Sequence, residues 1–275
     1  LYDSALLIDE RGSASELFPC GQKNRVMVVT GANSQKPFMA HLVTQLCDLH
    51  YVGAASATVC LPQWVYAADG SRQDNMTDWA LTQFQTHYRD PTIEKSAIFA
   101  YVYAVLHHPD YLQTYTLNLK VEFPRIPFYP DFRQWVAWGE ALIALHAGFA
   151  TVAPWPLQRV EQPPSPPMTD LQPRLKADKA AGVIEIDRQT RLEGVPPQAW
   201  DYRLGQRSAL EWILVEYQEA PPRDPTLREH FNTYRFADYK ETVIDLLQRV
   251  TTVSVETRRI QADMAARQQS DPACC

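Results

Sequence analysis

Three prolines stand within seven residues, Pro124, Pro127 and Pro130, in the stretch "LKVEFPRIPFYPDF" at 119–132. Proline fixes its own φ, removes a backbone donor and drives the residue before it toward extended conformations. Phe123, Ile126 and Tyr129 are therefore all pushed out of the helical basin, and no helix can cross the segment. The sequence on either side reads as helix, so this is a stiff interhelical connection with Arg125 mounted in its middle. Two roles are open to it. It is either a rigid corner, with Phe123, Ile126 and Phe128 packed inward and Arg125 bonding nearby helix carbonyls, or a fixed support from which Arg125 holds a phosphate.

The flanking texture changes along the chain. "RVMVVTG" (25–31) is a short apolar run closed by glycine, and "ASATVCLPQWVY" (55–66) is rich in strand formers. Between them, Met39, Leu42, Val43 and Leu46 fit a helical stripe while the neighbouring Val, Thr and aromatic residues suit strands, so periodicity leaves both open. Residues 74–150 read as helices: Thr77 is a candidate N-cap, Ile98, Tyr101, Val102, Val105 and Leu106 recur at helical spacing until Pro109, and a further apolar helix follows the proline corner. The proline-dense "PWPLQRVEQPPSPPMTDLQP" (154–173) reads as an extended surface crossing. Beyond it, "GVIEIDRQ" alternates as a strand, "VPPQAW" suits a helical turn with proline at its start, and "RSALEWILVEYQ" is an amphipathic helix. A helix from 239 to about 264 carries a β-branched patch, "VTTVSVET". The reading is α+β, with a β-rich N-terminal platform (1–73), a central helical spacer (74–153), the crossing (154–173) and a mixed strand and helix part (174–275).

At 275 residues the chain can bury a substantial core. No run of about 18 apolar residues occurs and the first residues carry no secretory pattern, so the expectation is a cytoplasmic protein with no membrane partner. The cysteines are odd in number and irregularly spaced, at Cys20, Cys47, Cys60, Cys274 and Cys275. Cys47, His50 and Cys60 supply three ligands where a structural zinc site takes four, so no metal site is expected.

"VVTGANSQKPF" has a strand, one glycine and a lysine but lacks the second glycine and the Lys-Ser/Thr pair of a phosphate loop. There is no G-x-S-x-G elbow, no H-E-x-x-H and no Asn/Asp-Pro-Pro-aromatic motif. His107 and His108 are expected to sit favourably beside a helix C-terminal dipole. Asp74 with Asp78 and Glu211 with Glu216 read as exposed helix acids, and Trp135, Trp138 and Trp212 as core residues. No catalytic residue is expected.

Several segments in order carry a resemblance: "NRVMVVTGANSQKPFMAHLVTQLCDLHYVG", "CLPQWVY", "DNMTDWAL", "FAYVYAVLHHPDYLQTYTLNLKVEFPRIPF", "EGVPPQAWDYRLGQRSALEWILVEY" and "RVTTVSVETRRI". Together, over about 25–259, they resemble the C-terminal region of Type ISP restriction-modification enzymes. In those single polypeptides, nuclease, helicase-like ATPase and adenine-methyltransferase parts precede a target recognition domain. The most specific pieces are "YVYAVLHHPDY", "FPRIPF" and "RSALEW". The weakly acidic balance, formally −6, and the form of "CLPQWVY" depart from the pattern.

The resemblance implies a DNA target recognition domain that is not catalytic by itself, with strands rather than helix around Met39–Leu46. It implies double-stranded DNA and the upstream methyltransferase and helicase-like domains as partners. S-adenosylmethionine, ATP and Mg would then serve those upstream domains, and no cofactor this one. The alternative is a structural clamp or coupling domain that touches DNA little, which the acidic balance suits.

On the first view, candidate DNA contacts fall in three places. The loop "GANSQK" offers Asn33, Ser34, Gln35 and Lys36 at a strand end, with loop solubilisation as their plain alternative. The locally basic stretch 174–207 offers Lys176, Lys179, Arg188, Arg203, Gln206 and Arg207, which are otherwise solvated surface groups. The proline corner offers Arg125.

Overall fold

The computed structural model describes residues 2–3, 7–10, 17–19, 21–46, 51, 56–67, 69–163, 173–219 and 234–269. Cys20, Cys47, His50, Cys274 and Cys275, and residues 164–172 of the proline-dense stretch, lie outside the described residues. The fold is α+β. It divides into two compact units, one of Leu1–Gly148, Leu204–Gln206 and Arg259–Cys275, the other of Phe149–Arg203 and Arg207–Arg258. Among the described residues no helix is long and apolar enough to cross a membrane.

The first unit begins with β1 (Tyr2–Asp3) and is built on a three-stranded antiparallel sheet. Its strands are β2 (Val26–Thr30), β3 (Ala40–Val43) and β4 (Thr58–Pro62), in the order β3-β2-β4. The ambiguous segment around Leu42 is thus a strand, pairing Met27 with Leu42 and Val29 with Ala40. Strand β2 is buried at every position, because both of its faces are covered. Met27 and Val29 join the main core with the helices, whereas Val26 and Val28 pack with Leu17, Met39 and Cys60. Burial on both faces explains why β2 reads as a continuous apolar run rather than an alternation.

A two-stranded ribbon follows, β5 (Trp64–Tyr66) and β6 (Arg72–Asp74). The helices are α1 (Asp78–Tyr88), α2 (Lys95–Val105), α3 (Pro109–Thr114), α4 (Asn118–Val121) and α5 (Phe132–Ala147). Thr77 caps α1, accepting a bond from the Ala80 amide. Helix α2 is buried from Ile98 to Val105, and α5 lies against it closely enough for Gly139 to meet the Ala100 backbone.

The proline corner lies between α4 and α5. Arg125–Ile126 forms β7, a short strand paired with β1. Ile126 and Pro124 are buried, while Phe123 and Phe128 pack against the core from partly buried positions. Tyrosine hydroxyls take up the backbone groups that the prolines leave without helical partners: Tyr101 donates to the Pro127 carbonyl at 2.7 Å and Tyr88 to that of Tyr129 at 2.7 Å. Tyr111 donates to the Arg125 carbonyl at 3.0 Å. Buried polar groups must find partners, and here the side chains replace the helix ladder.

His107 and His108 meet the dipole expectation only in part. Both are buried, His107 with its Nδ1 2.8 Å from the Tyr103 carbonyl and its ring 5.2 Å from that of His146. His146 in turn stacks on His41 at 5.7 Å and its Nδ1 lies 2.5 Å from the Tyr103 hydroxyl. A charged imidazolium would lose its hydration here, so burial holds His107 at about 4 instead of 6.5, and burial with the neighbouring His107 and His41 holds His146 well below the usual range. The rings are neutral, so His107 bonds a carbonyl of the last turn of α2 as a residue at a helix end does, but without carrying a charge. The unfolded chain binds the His107 proton through the window from about 6.5 to 4 while the folded chain does not. Stability from this group is therefore full above that window and falls as pH drops through it. The urea midpoint should decline between pH 6.5 and 4, and His107→Leu should flatten that decline; an unchanged slope in the variant would contradict this account.

The second unit holds a four-stranded antiparallel sheet in the order β8-β11-β10-β9: β8 (Gln158–Glu161), β9 (Pro173–Asp178), β10 (Val183–Asp187) and β11 (Thr190–Glu193). A 3-10 turn, Pro197–Trp200, begins on proline as "VPPQAW" suggests. Strands β12 (Arg203–Leu204) and β13 (Arg207–Ser208) form a hairpin that runs into helix α6 (Ala209–Glu216). Ser208 and Glu211 close a capping box on α6. The last helix, α7 (Lys240–Gln269), runs through the β-branched patch, whose Val253 and Val255 are buried. Helix propensity is a weak preference that such packing overrides.

Candidate functional site

The candidate side chains fall into separate groups. Strand β2 ends at Thr30 and the chain turns through "GANSQK" into β3. Asn33 sits in the left-handed region at φ 60, a conformation that asparagine tolerates, and its amide donates to the Lys120 carbonyl at 2.7 Å. Ser34 is a brace: its hydroxyl accepts from the Lys36 amide at 2.9 Å and lies 2.6 Å from the Ser56 hydroxyl. Gln35 is exposed. Lys36 Nζ donates to Gln206 Oε1 at 3.4 Å, across 170 positions of sequence.

That contact joins two turns that lie far apart in the sequence. Gln206 stands at the tip of the β12–β13 hairpin, whose turn is made by Gly205 at φ 67. Glycine enters this region without the steric cost that a side chain brings. A lysine and an amide are thus held together at the surface of the first unit, both on short turns. The strand before "GANSQK" leads to another strand, not to a helix, so the segment lacks the helix N-terminus on which phosphates of a bound nucleotide dock.

In the second unit the basic residues divide by what they already hold. Lys179 is engaged, 2.7 Å from the Glu211 carboxylate and 5.5 Å from the centre of the Trp200 ring. Arg207 lies over Trp212 at 4.9 Å, an arrangement that spreads its planar cation on an aromatic face. Lys176 is exposed on β9 opposite Glu185, whose carboxylate is taken by Arg174 at 3.1 Å. Arg188 is exposed at the β10–β11 turn and Arg203 on β12. In the first unit Arg125 is exposed but bonds Glu122 at 2.8 Å, where a helix carbonyl was the expected partner. Next to it lies a cavity of about 120 Å³ lined by Tyr111, Tyr115 and Phe123 among others.

Strand β5 falls within the strand-rich stretch 55–66, but its partner β6 and the turn that joins them were not read from the sequence. The signal was present as Asp69-Gly70 between "WVY" and "RQD", a pair that favours tight hairpin turns. Gly70 adopts φ 81, and Asp69 accepts from the Ser71 amide at 2.8 Å. Arg72 lies over the Trp64 ring at 4.4 Å. Groups of three or more His, Cys, Asp or Glu able to hold a metal ion do not occur among the described residues.

The family model of the Type ISP C-terminal specificity domain matches residues 1–246. No curated protein matches the chain. Among solved structures, the chain is similar to DrdV in a DrdV–DNA complex, with a TM-score of 0.85 and 50% identity over 90% of this chain and 25% of that one. It shares its fold with a nuclease-deletion mutant of the Type ISP restriction-modification enzyme LlaGI in complex with a DNA substrate mimic, at TM-score 0.69 and 24% identity over 91% of this chain and 22% of that one. It also shares it with the ATP-dependent Type ISP restriction-modification enzyme LlaBIII bound to DNA, at TM-score 0.75 and 18% identity over 93% and 17%. The chain spans a quarter or less of each of these proteins.

Proposed function

Because the chain belongs to the Type ISP C-terminal specificity domains, we propose that it recognises a double-stranded DNA target and carries out no chemistry on it. The observation that carries this reading is the family match over residues 1–246, joined to 50% identity with DrdV, whose structure is a DNA complex. The geometry adds support: Lys36 and Gln206, from turns far apart in sequence, are held together at the surface. A lysine there neutralises a phosphate, while a glutamine amide presents a donor and an acceptor to an adenine edge. Methyl transfer, cleavage and ATP hydrolysis belong on this reading to other parts of a longer cytoplasmic polypeptide, where S-adenosylmethionine, ATP and Mg are bound. Asn33, Gln35, Arg125, Lys176, Arg188, Arg203 and Arg207 remain proposed contacts; Ser34 acts by shaping the loop and Lys179 is tied to Glu211.

The two kinds of contact separate by salt. Lys36→Ala should weaken binding to all duplexes and lower the slope of log K against log salt by about one. Gln206→Ala should leave that slope unchanged and reduce discrimination at one base pair by about 1–3 kcal/mol. Anisotropy titrations at two salt concentrations on target and scrambled duplexes measure both. Lack of duplex binding by the unaltered protein at low salt would overturn the proposal.

A further inference from the structure

We propose that the β5–β6 ribbon is itself a DNA-reading element, entering the major groove with Arg72 directed at a guanine edge and Lys23 and Arg25 at the flanking phosphates. The inference rests on the DNA-recognition reading above.

Shape comes first. The ribbon pairs Trp64 with Asp74, Val65 with Gln73 and Tyr66 with Arg72. Three residues of strand advance roughly 10 Å and the two strands lie about 4.8 Å apart. A major groove about 12 Å wide and 8.5 Å deep admits such a ribbon. All three residues of β6 are exposed, as are Ala67, Asp69, Gly70 and Ser71 of the connecting turn.

The base of the ribbon is rigid. Asn24, only 2% exposed, donates to the Leu17 and Trp64 carbonyls at 2.8 Å each, and its Oδ1 accepts from the Arg25 amide at 2.9 Å and the Trp64 amide at 3.3 Å. The Tyr66 hydroxyl donates to the Lys23 carbonyl at 2.5 Å. Just past the end of β6, buried Asn75 donates to the carbonyls of Asp9 at 2.7 Å and Pro62 at 3.1 Å. These bonds pin residues 23–25 alongside β5, so that Lys23 and Arg25, both exposed, accompany the ribbon.

Charge and donor geometry then select the partner. Lys23, Arg25 and Arg72 form no ion pair with any described residue; the acids near them include Asp69, whose carboxylate bonds the Ser71 amide, Asp74, and Glu140, which lines a cavity with Arg25. Cross-strand alternation puts Trp64, Tyr66, Arg72 and Asp74 on one face and Val65 with Gln73 on the other. The Arg72 guanidinium lies over the Trp64 ring at 4.4 Å, which holds it on an aromatic face, and it donates no hydrogen bond to a described residue. A held guanidinium with its fork unoccupied matches the paired O6 and N7 acceptors of guanine. Its planar fork distinguishes this group from a lysine, which is a point charge.

Selection of bound duplexes from a randomised library, with the intact protein, tests the assignment. Unaltered protein should return a preferred sequence containing a guanine that R72A and R72K both cease to select. Each variant should lose about 5- to 150-fold in affinity for that base over the others, the range for one bidentate contact. Melting temperatures should stay within error, since Arg72 is exposed. K23A and R25A should lose affinity evenly across sequences. If R72A weakens all sequences alike and R72K restores them, Arg72 is at a phosphate and the guanine assignment is wrong. If both variants select the same sequence as tightly as the unaltered protein, the ribbon does not read DNA, although target recognition stands. If the unaltered protein selects no sequence, this proposal and the reading beneath it both fall.

Discussion

Gly139→Ala is expected to lower stability by about 2–3 kcal/mol, despite placing a better helix former inside α5. A methyl group added at Gly139 would sit 1.9 Å from the Ala100 carbonyl oxygen, 2.5 Å from its carbon and 3.1 Å from its Cα. All three are backbone atoms of α2, so no rotamer change relieves the contact and the two helices have to move apart. Replacing glycine by alanine within a helix gains about 1 kcal/mol, whereas overpacking costs about 1–3 kcal/mol and sometimes more. The contact is with the backbone of a helix buried from Ile98 to Val105, which places the cost at or beyond the upper end and decides the sign. For a chain of this size the loss corresponds to a fall in Tm of roughly 5–10 °C. Gly139→Leu should prevent folding. A thermal melt of the alanine variant matching that of the unaltered protein would show that α2 and α5 are not in close backbone contact.

The second large effect is expected at Asp187 in the other unit. Its side chain is fully buried and pairs with Lys240 at 2.8 Å, while its Oδ1 accepts from the amides of Gln189 and Thr190 at 2.7 and 2.8 Å. The same carboxylate therefore closes the β10–β11 turn and anchors the start of α7. Lys240 also donates to the Thr190 hydroxyl, which itself donates to Glu161 at 2.8 Å. Removing one partner from a buried pair leaves the other charge uncompensated, a loss of about 3–5 kcal/mol, so Asp187→Ala should destabilise by that amount. Asp187→Asn should cost less, since the amide oxygen can keep the turn bonds. Burial pushes the Asp187 carboxyl up, but Lys240 and the two backbone amides outweigh it and hold the group below its ordinary value of 3.8. A depressed folded value means that the contribution is fully present above the ordinary carboxylate range and is lost as pH falls through the folded one. Denaturation followed by circular dichroism between pH 7 and pH 2 should show this acid loss in the unaltered protein and much less of it in Asp187→Ala. An alanine variant of undiminished stability at neutral pH would show that the pair is not buried.

How legible a residue was depended on how local its determinants are. Thr77 capping α1, the proline at the start of the 3-10 turn and the β-strand at "VIEID" are set by interactions within a few positions, and they read directly from sequence. Strand β11, "TRLE", did not. Its Thr190 and Leu192 are buried and its Arg191 and Glu193 are intermediate, an alternation too short and too charged to stand out from the turn before it. The charge state of the histidines was not legible for a different reason. His107 and His108 precede a proline at a helix end, which suggests a dipole partner, but their neutral state follows from packing, including the His146 ring opposite His107.

The candidate site divides along the same line. Lys36 and Gln206 were each recognisable as polar residues on turns, yet their contact spans 170 positions and exists only when the chain has folded. Arg125 was correctly placed on a stiff corner, although its Glu122 partner and the tyrosine hydroxyls that hold the corner were not evident. By itself the sequence determined where helices must stop, because proline forbids the backbone donor and the helical φ/ψ of its neighbour whatever surrounds it. It also identified the family, since the order of short motifs survives without any knowledge of contacts. Only the tertiary structure decided which charges are spent on internal pairs, as Lys179 and Lys240 are, and which are left facing solvent, as Lys23 and Arg72 are. Pairing depends on distances between segments remote in sequence, and those distances are set by the packing of the whole core.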